Sequence, residues 1–266
     1  MEPRTLNVEQ TGSVMTVSLH RPKKLNAVND TMLDELTGLF TDLRRDTTTR
    51  FVILTGSGAD FSSGADLVSG ARAAAQTKRP PYEMARIGQM RGQDLMRCIE
   101  ALEQVTIAAI NGRCLGAGFA IALACDFRIA AEEAQLSLPE ARIGMFFTWG
   151  CTPRLVRLIG PSRAKEVIMT CDKVDAKQAL MWGLVNRVVP QDDLLESARA
   201  LAHRIGQQGP LAVRLTKKIV DAASLKNLGD LSLCEPELVE RVFLSDDVPE
   251  GISAFLEKRD PKFGKG

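Results

Sequence analysis

Polar and apolar residues alternate from Val14 to Leu19, with Val14, Thr16 and Ser18 on one face and Met15, Val17 and Leu19 on the other. A period of two predicts a strand, which stops at His20-Arg21-Pro22. A polar loop, Lys23-Lys24-Leu25-Asn26, follows, and the period then changes. Met32, Leu36, Leu39, Phe40 and Leu43 recur at helical spacing, with Asn29 or Asp30 available as the N-cap. Phe51 to Leu54 is a continuous apolar run, the mark of a strand buried on both faces, closed by the turn-rich stretch from Thr55 to Asp60. The order strand, helix, strand then repeats. A long helix is expected over Tyr82–Glu103 and buried strands over Val105–Ile110 and Phe127–Ala130. An apolar stretch from Gly118 to Cys125 lies between those two strands, and a further strand is expected over Gly183–Pro190.

The small, basic segment between Val68 and Pro81 interrupts this pattern and is expected to be a surface loop or a frayed helix. From Asp192 onward only helical spacing is found. Leu194, Leu195, Ala198, Leu201, Ala202 and Ile205 form one stripe, Pro210 opens the next helix, and a last helix is expected over Val248–Arg259. The expected organisation is a mixed α/β core over residues 1–195 and a helical region over 196–266.

Composition narrows the function classes. The 266 residues are 45% hydrophobic and 25% charged, as in ordinary globular domains, and 34 basic against 33 acidic residues leave a net charge of +1. That balance lacks the positive field of a dedicated nucleic-acid binder. The six cysteines (Cys98, Cys114, Cys125, Cys151, Cys171 and Cys234) include no CxxC pair and read as free buried thiols. Two histidines and no HExxH or Cys/His cluster argue against a metal site. With no secretory signal and no apolar run long enough for a bilayer, a cytoplasmic protein without a membrane span is expected.

Three segments could carry chemistry. Two small-residue turns follow buried strands: Phe61-Ser62-Ser63-Gly64-Ala65-Asp66-Leu67 and Asn111-Gly112-Arg113-Cys114-Leu115-Gly116-Ala117-Gly118. Neither matches a dinucleotide or phosphate-loop fingerprint. They are either plain tight turns or two places where backbone N–H groups approach a ligand oxygen. The third is Leu138-Pro139-Glu140-Ala141-Arg142-Ile143-Gly144, where Glu140 is either a solvent-facing helix start or a general base raised by desolvation.

The order of HRPKKLNA (20–27), FSSGADL (61–67), NGRCLGAGFAIALACDFRIA (111–130), LPEARIG (138–144), GPSRAKEVIMT (160–170), AKQALMWGLVNRVV (176–189) and FLEKRDPKF (255–263) resembles the crotonase superfamily of enoyl-CoA hydratases and isomerases. The resemblance implies an α/β fold, a crotonase-like spiral of repeated ββα units with a C-terminal helical trimerisation region. It implies a homotrimer or a dimer of trimers, with an acyl-CoA thioester as substrate and no separate cofactor, because coenzyme A is part of that substrate. Matched residue by residue, the backbone N–H groups of Ser63 and Ala117 would hold the thioester carbonyl, with Gly116 beside them. Ser63, Gly64, Ala65 and Asp66 would wrap the thioester and pantetheine, and Lys23, Lys24 and Ala27 would lie by the adenine and phosphates. Lys258 and Lys262 would reach the CoA phosphates or form a solvated basic tail.

Two departures qualify the resemblance. Two-base hydratases carry a glutamate where this chain has Ala120, so Glu140 stands alone. One base suffices to move a proton between C4 and C2, so double-bond isomerisation is favoured. A one-glutamate hydratase and a non-catalytic acyl-CoA-binding paralogue are the alternatives. The second departure replaces a small, Gly-rich segment with Met145-Phe146-Phe147-Thr148-Trp149-Gly150. Phe146, Phe147 and Trp149 would either crowd the acyl pocket or pack as core. Serine-peptidase chemistry, which the related fold also hosts, would need a Ser/His pair using His20 or His203.

Overall fold

The computed structural model describes residues 3–69, 81–225 and 247–262, with isolated positions between 236 and 244. β1 (Leu6–Thr11) and β2 (Val14–Leu19) form an antiparallel hairpin. β3 (Phe51–Gly56), β4 (Val105–Ile110), β6 (Phe127–Ala131) and β9 (Arg187–Val189) join in parallel, in the order β1-β2-β3-β4-β6-β9. A second sheet contains β5 (Arg113–Leu115), β7 (Gln135–Ser137) and β8 (Val174–Asp175). Single bridges between Val28 and Ala65 and between Ser62 and Cys114 extend that second layer. After each long strand the chain turns, adds a short stretch to the second layer, and continues into helical structure. This is the crotonase-like ββα spiral.

The helices follow from their sequences. α1 (Asp30–Leu43) is capped by Asn29, whose side chain accepts from the Met32 N–H at 3.0 Å, and buries Met32, Leu36, Phe40 and Leu43. With α2 (Pro81–Glu100) and α3 (Gly116–Ala124) it covers one face of the large sheet. α6 (Leu194–Gly206) covers the other, setting Leu194, Ala198, Leu201 and Ala202 against Phe51, Ile53, Ile107 and Ile129. Strand β3 is therefore apolar without alternation because Val52 and Leu54 face one cluster while Phe51 and Ile53 face the other. Residue 195, where the helical region was expected to begin, lies in the first turn of α6, a helix that packs on the large sheet. α4 (Cys151–Thr170), kinked at Gly160, and α5 (Ala176–Met181) complete the packing around the second sheet.

Some elements differ from expectation. β1 carries no apolar alternation, since five of its six residues are exposed; backbone pairing with β2 makes it a strand. The strand expected over 183–190 is confined to Arg187–Val189. Leu184 and Val185 are buried, but their N–H groups bond to the Ala179 carbonyl at the end of α5 and do not join the sheet. The helix expected from Tyr82 to Glu103 ends at Glu100, and α3 begins at Gly116, two residues before the apolar stretch. The described cysteines are free thiols; Cys234 lies outside the described residues, as do most of the basic segment before Pro81 and Leu231, Leu233, Leu238 and Val242, which with Leu211, Leu215 and Ile219 form the apolar faces expected to be buried between subunits.

α7 (Pro210–Leu225) is attached in an unusual way. Its charged side faces the body of the protein: Lys217 Nζ, with only 8% of its side chain exposed, reaches Asp126 at 2.7 Å and the Gln104 carbonyl at 2.8 Å. Arg214 pairs with Glu103 at 3.0 Å, and Lys218 pairs with the same carboxylate. Leu211, Leu215 and Ile219, one turn apart, are left 58%, 46% and 67% exposed.

Candidate active site

The loop from Arg21 to Ala27 is pinned from within. The buried Asn26 amide donates to the carbonyls of Ser57 (2.9 Å) and Asp60 (2.7 Å) and accepts from the Arg21 N–H at 2.9 Å. Arg21 in turn pairs with Asp66 at 2.8 Å and donates to the Ala27 carbonyl. Burial works against ionisation of Asp66, but bonds from Ser69 and Arg21 outweigh it and hold the carboxyl below its ordinary value. This arrangement lays the loop carrying exposed Lys23 and Lys24 alongside Ser63–Asp66, and Leu25 and Asn26 both adopt left-handed backbone angles.

The two small-residue turns are joined as well. Ser62 N–H donates to the Arg113 carbonyl and Leu115 N–H to the Ser62 carbonyl, each at 2.9 Å. Arg113 clamps Asp60 with two bonds of 2.7 Å. Ala117 falls in the first turn of α3, whose N-cap, Leu115, has no side chain able to accept. Its N–H is thus one of the donors that a helix cannot satisfy internally, at the positive end of the helix dipole. The N–H of Ser63, the other matched donor, is bonded to the Leu25 carbonyl at 2.9 Å.

Glu140 lies in a single 3-10 turn, Pro139–Ile143, between β7 and α4. Its carboxylate reaches the second of these turns: a Cβ added to Gly116 would stand 2.6 Å from Glu140 Oε1 and 3.9 Å from the Gly64 Cα. Only glycine at 116 allows this approach. Glu140 Oε2 is buried with no hydrogen-bond partner. Burial pushes the carboxyl up from 4.5 to about 7, opposed only by a bond from its own backbone N–H. Ala120, one turn beyond Gly116 on α3, is 1% exposed and supplies no second carboxylate. A proton acceptor poised near neutrality therefore sits beside a helix N-terminus, the combination needed to remove a proton and hold the resulting oxyanion.

The remaining expected residues are placed as follows. Phe147 and Trp149 are core residues, Phe147 lying 6.4 Å from Phe119 between ring centroids and Trp149 packing on α2, while Phe146 is half-buried. α8 (Asp247–Glu257) packs directly on the Glu140 turn, with Gly251 against the Ile143 backbone, and Lys258 follows exposed about two turns beyond that contact. His20 Nδ1 is bonded to Asn7 and Ser57 at 3.0 and 2.9 Å, with no carboxylate in the group. A cavity of ~680 Å³ opens beside the Glu140 turn, lined by Leu115, Pro139, Arg142 and Trp182 among others; Glu140 is not part of its wall. Asn26, Asp60, Arg113 and Gly92 carry no signal in the sequence that marks them as contacts of this region. Their roles come from partners distant in the chain.

Comparison with known proteins identifies the family. The family model described as enoyl-CoA hydratase/isomerase matches residues 9–266. A crotonyl-CoA hydratase of Syntrophomonas wolfei is 37% identical over 257 residues, 96% of each chain. The crystal structure of an enoyl-CoA hydratase from Mycobacterium avium subsp. paratuberculosis superposes with a TM-score of 0.86 at 28% identity, covering 99% of this chain and 100% of the other. A monofunctional enoyl-CoA isomerase from M. smegmatis is similar at 33% identity and a TM-score of 0.71, covering 85% of this chain and 96% of its own.

Proposed function

The chain belongs to the enoyl-CoA hydratase/isomerase family, an enzyme acting on acyl-CoA thioesters, and we propose that it favours shifting a double bond over adding water, with Glu140 as its single base. The observation that carries this reading is the Glu140 carboxylate at the Gly116–Ala117 turn, the only one placed there among the described residues, with Ala120 where a second would have to stand. Water addition has to activate water and manage the proton at C2, two tasks best divided between two carboxylates. Isomerisation needs one group that takes the C2 proton of a 3-enoyl thioester and returns it to C4.

In this reading the thioester carbonyl sits at the Ala117 N–H, where negative charge develops as Glu140 removes the proton. A second donor at Ser63 requires the carbonyl of Leu25 to give way, because that carbonyl holds the Ser63 N–H in the free protein. Leu25 lies on the loop assigned to the adenine and phosphates, so seating coenzyme A and releasing the second donor are coupled. Lys23 and Lys24 face solvent on the same loop, ready for phosphate.

A one-glutamate hydratase is the second reading, favoured by hydratase names among the relatives. Turnover of paired 2-enoyl- and 3-enoyl-CoA thioesters separates the two. Isomerisation of the 3-enoyl substrate is expected to exceed hydration of its 2-enoyl partner, and the reverse ratio overturns the preference. Calorimetry with acetoacetyl-CoA is expected to give saturable binding; none at millimolar ligand removes the acyl-CoA assignment.

We also assign the outward apolar stripe of α7 to contact between subunits in a homotrimer or dimer of trimers. A helix that turns its lysines and arginines to its own protein and Leu211, Leu215 and Ile219 to water is amphipathic in the wrong sense for a monomer.

A further inference from the structure

We propose that Arg128, buried at the C-terminal end of α3, is a positioning residue whose charge acts through that helix to strengthen the Ala117 N–H as an oxyanion donor. The inference rests on the acyl-CoA reading above and adds to it a residue at the far end of the helix from the chemistry.

Arg128 places a full charge in the interior of the protein. It is the second residue of β6 and only 4% exposed. Its side chain bonds solely to neutral carbonyls: Nε donates to Leu184 at 2.8 Å, and one terminal nitrogen donates to Cys125 at 2.7 Å and Ala122 at 3.4 Å. No carboxylate among the described residues forms an ion pair with it. The neighbouring Asp126 is committed to Lys217 and to the Thr106 N–H, each at 2.7 Å. Burial works against the charge, yet a guanidinium keeps its proton inside a protein. A buried ion without a counter-ion is strongly unfavourable, and a neutral donor could satisfy the same carbonyls. The charge itself is what an uncharged residue would not supply.

The position of that charge gives it an effect. Ala122 lies in the last turn of α3 and Cys125 is its C-cap. The helix is nine residues long, all of them buried and none charged, and Ala117 stands in its first turn. A helix is positive at its N-terminus and negative at its C-terminus. In an enclosed helix this short, the negative end subtracts from the attraction that the positive end offers to an oxyanion. Arg128 cancels the negative end and leaves a surplus of positive charge behind it, while Asp126 and Lys217 neutralise each other. At 1.5 Å per residue the guanidinium stands ~15 Å from the Ala117 N–H. With an effective dielectric constant of about 20, a unit charge at that distance shifts the protonation of an anion by about 0.8 of a pKa unit, or about fivefold.

Bound acetoacetyl-CoA reads this effect directly. Its enolate absorbs in the near ultraviolet, and the pH at which it forms reports how firmly negative charge is held at the carbonyl. Titrations on the full chain in a Glu140→Gln background remove the carboxylate that would ionise beside the ligand. Binding is expected to bring enolisation to a lower pH than in free acetoacetyl-CoA. Arg128→Gln keeps an N–H donor for the Cys125 carbonyl but carries no charge, and is expected to raise the bound enolisation pKa by about 0.8 of a unit. Asp126→Asn, which leaves Lys217 as a second surplus cation, is expected to move it in the opposite direction, and keeps the proposal testable should Arg128→Gln not fold. A folded Arg128→Gln protein that is less stable but has an unchanged enolisation pKa overturns the proposal, as does an Asp126→Asn protein whose value stays or rises. A parent protein that does not bind acetoacetyl-CoA overturns the acyl-CoA reading itself, which is a distinct result.

Discussion

Replacing Glu140 by Gln should make the protein more stable and nearly inactive, and the pH dependence of the first effect identifies its cause. The Glu140 carboxyl is raised from 4.5 to about 7 because its charged form is buried with Oε2 unpartnered. A raised carboxyl means that the folded chain keeps the proton to higher pH than the unfolded chain does. Its contribution to stability is therefore present below about pH 4.5 and is lost as pH rises to about 7. At about 1.4 kcal/mol per unit, the loss amounts to as much as ~3 kcal/mol above neutrality. Gln has nearly the shape of the protonated acid and never ionises, so the variant avoids the loss. Thermal melts at pH 5 and pH 8 should show the two proteins close together at the lower pH. At the higher pH the variant should melt several degrees above wild type, at ~2–4 °C per kcal/mol for a chain of this size. Over the same range its turnover of enoyl-CoA thioesters should be lower by about a hundredfold or more, the usual cost of removing a general base. Wild-type kcat/KM should rise with pH toward a plateau above about 7. A stability difference that does not change between pH 5 and pH 8 would falsify the claim that a buried carboxylate sits at this site, and a fully active Gln variant would remove Glu140 from the chemistry.

Three further outcomes follow from the same contacts. Ala120→Glu, one helical turn from Gly116, should raise the ratio of hydration to isomerisation in assays of paired thioesters if the single-base reading holds; an unchanged ratio in a folded variant counts against it. Arg21→Leu strips the largely buried Asp66 of its guanidinium partner and frees the Ala27 carbonyl. It should cost ~2 kcal/mol in urea melts and weaken coenzyme A binding, and a variant equal to wild type in both would show that the clamp does not hold the loop. Light scattering should report a trimer or hexamer for wild type and a smaller species for Leu215→Asp, whereas a stable 29.0 kDa monomer at micromolar concentration eliminates the subunit contact assigned to α7.

Local pattern was enough for the elements whose burial is written into their own residues. The alternation of β2, the unbroken apolar run of β3, the helical stripe of α1 and its Asn29 cap all appear where periodicity places them. The absence of a carboxylate at position 120 is likewise a fact of covalent sequence, and no folding can change it. What the chain order could not express are properties created between elements. β1 is a strand because β2 offers it hydrogen bonds, and the two- and three-residue strands of the second sheet are too short to carry a period. The outward face of α7 looks the same as an inward one until Lys217 is seen buried against Asp126. Glu140 is an ordinary carboxylic acid in sequence; burial without a partner makes it a base near neutrality. Trp149 reads equally as core or pocket in sequence; in the structure it is a buried core residue whose ring lies on Gly92, from a helix far earlier in the chain. Periodicity records which side of its own element a residue faces, and only the packed structure determines which atoms meet there and whether water remains between them.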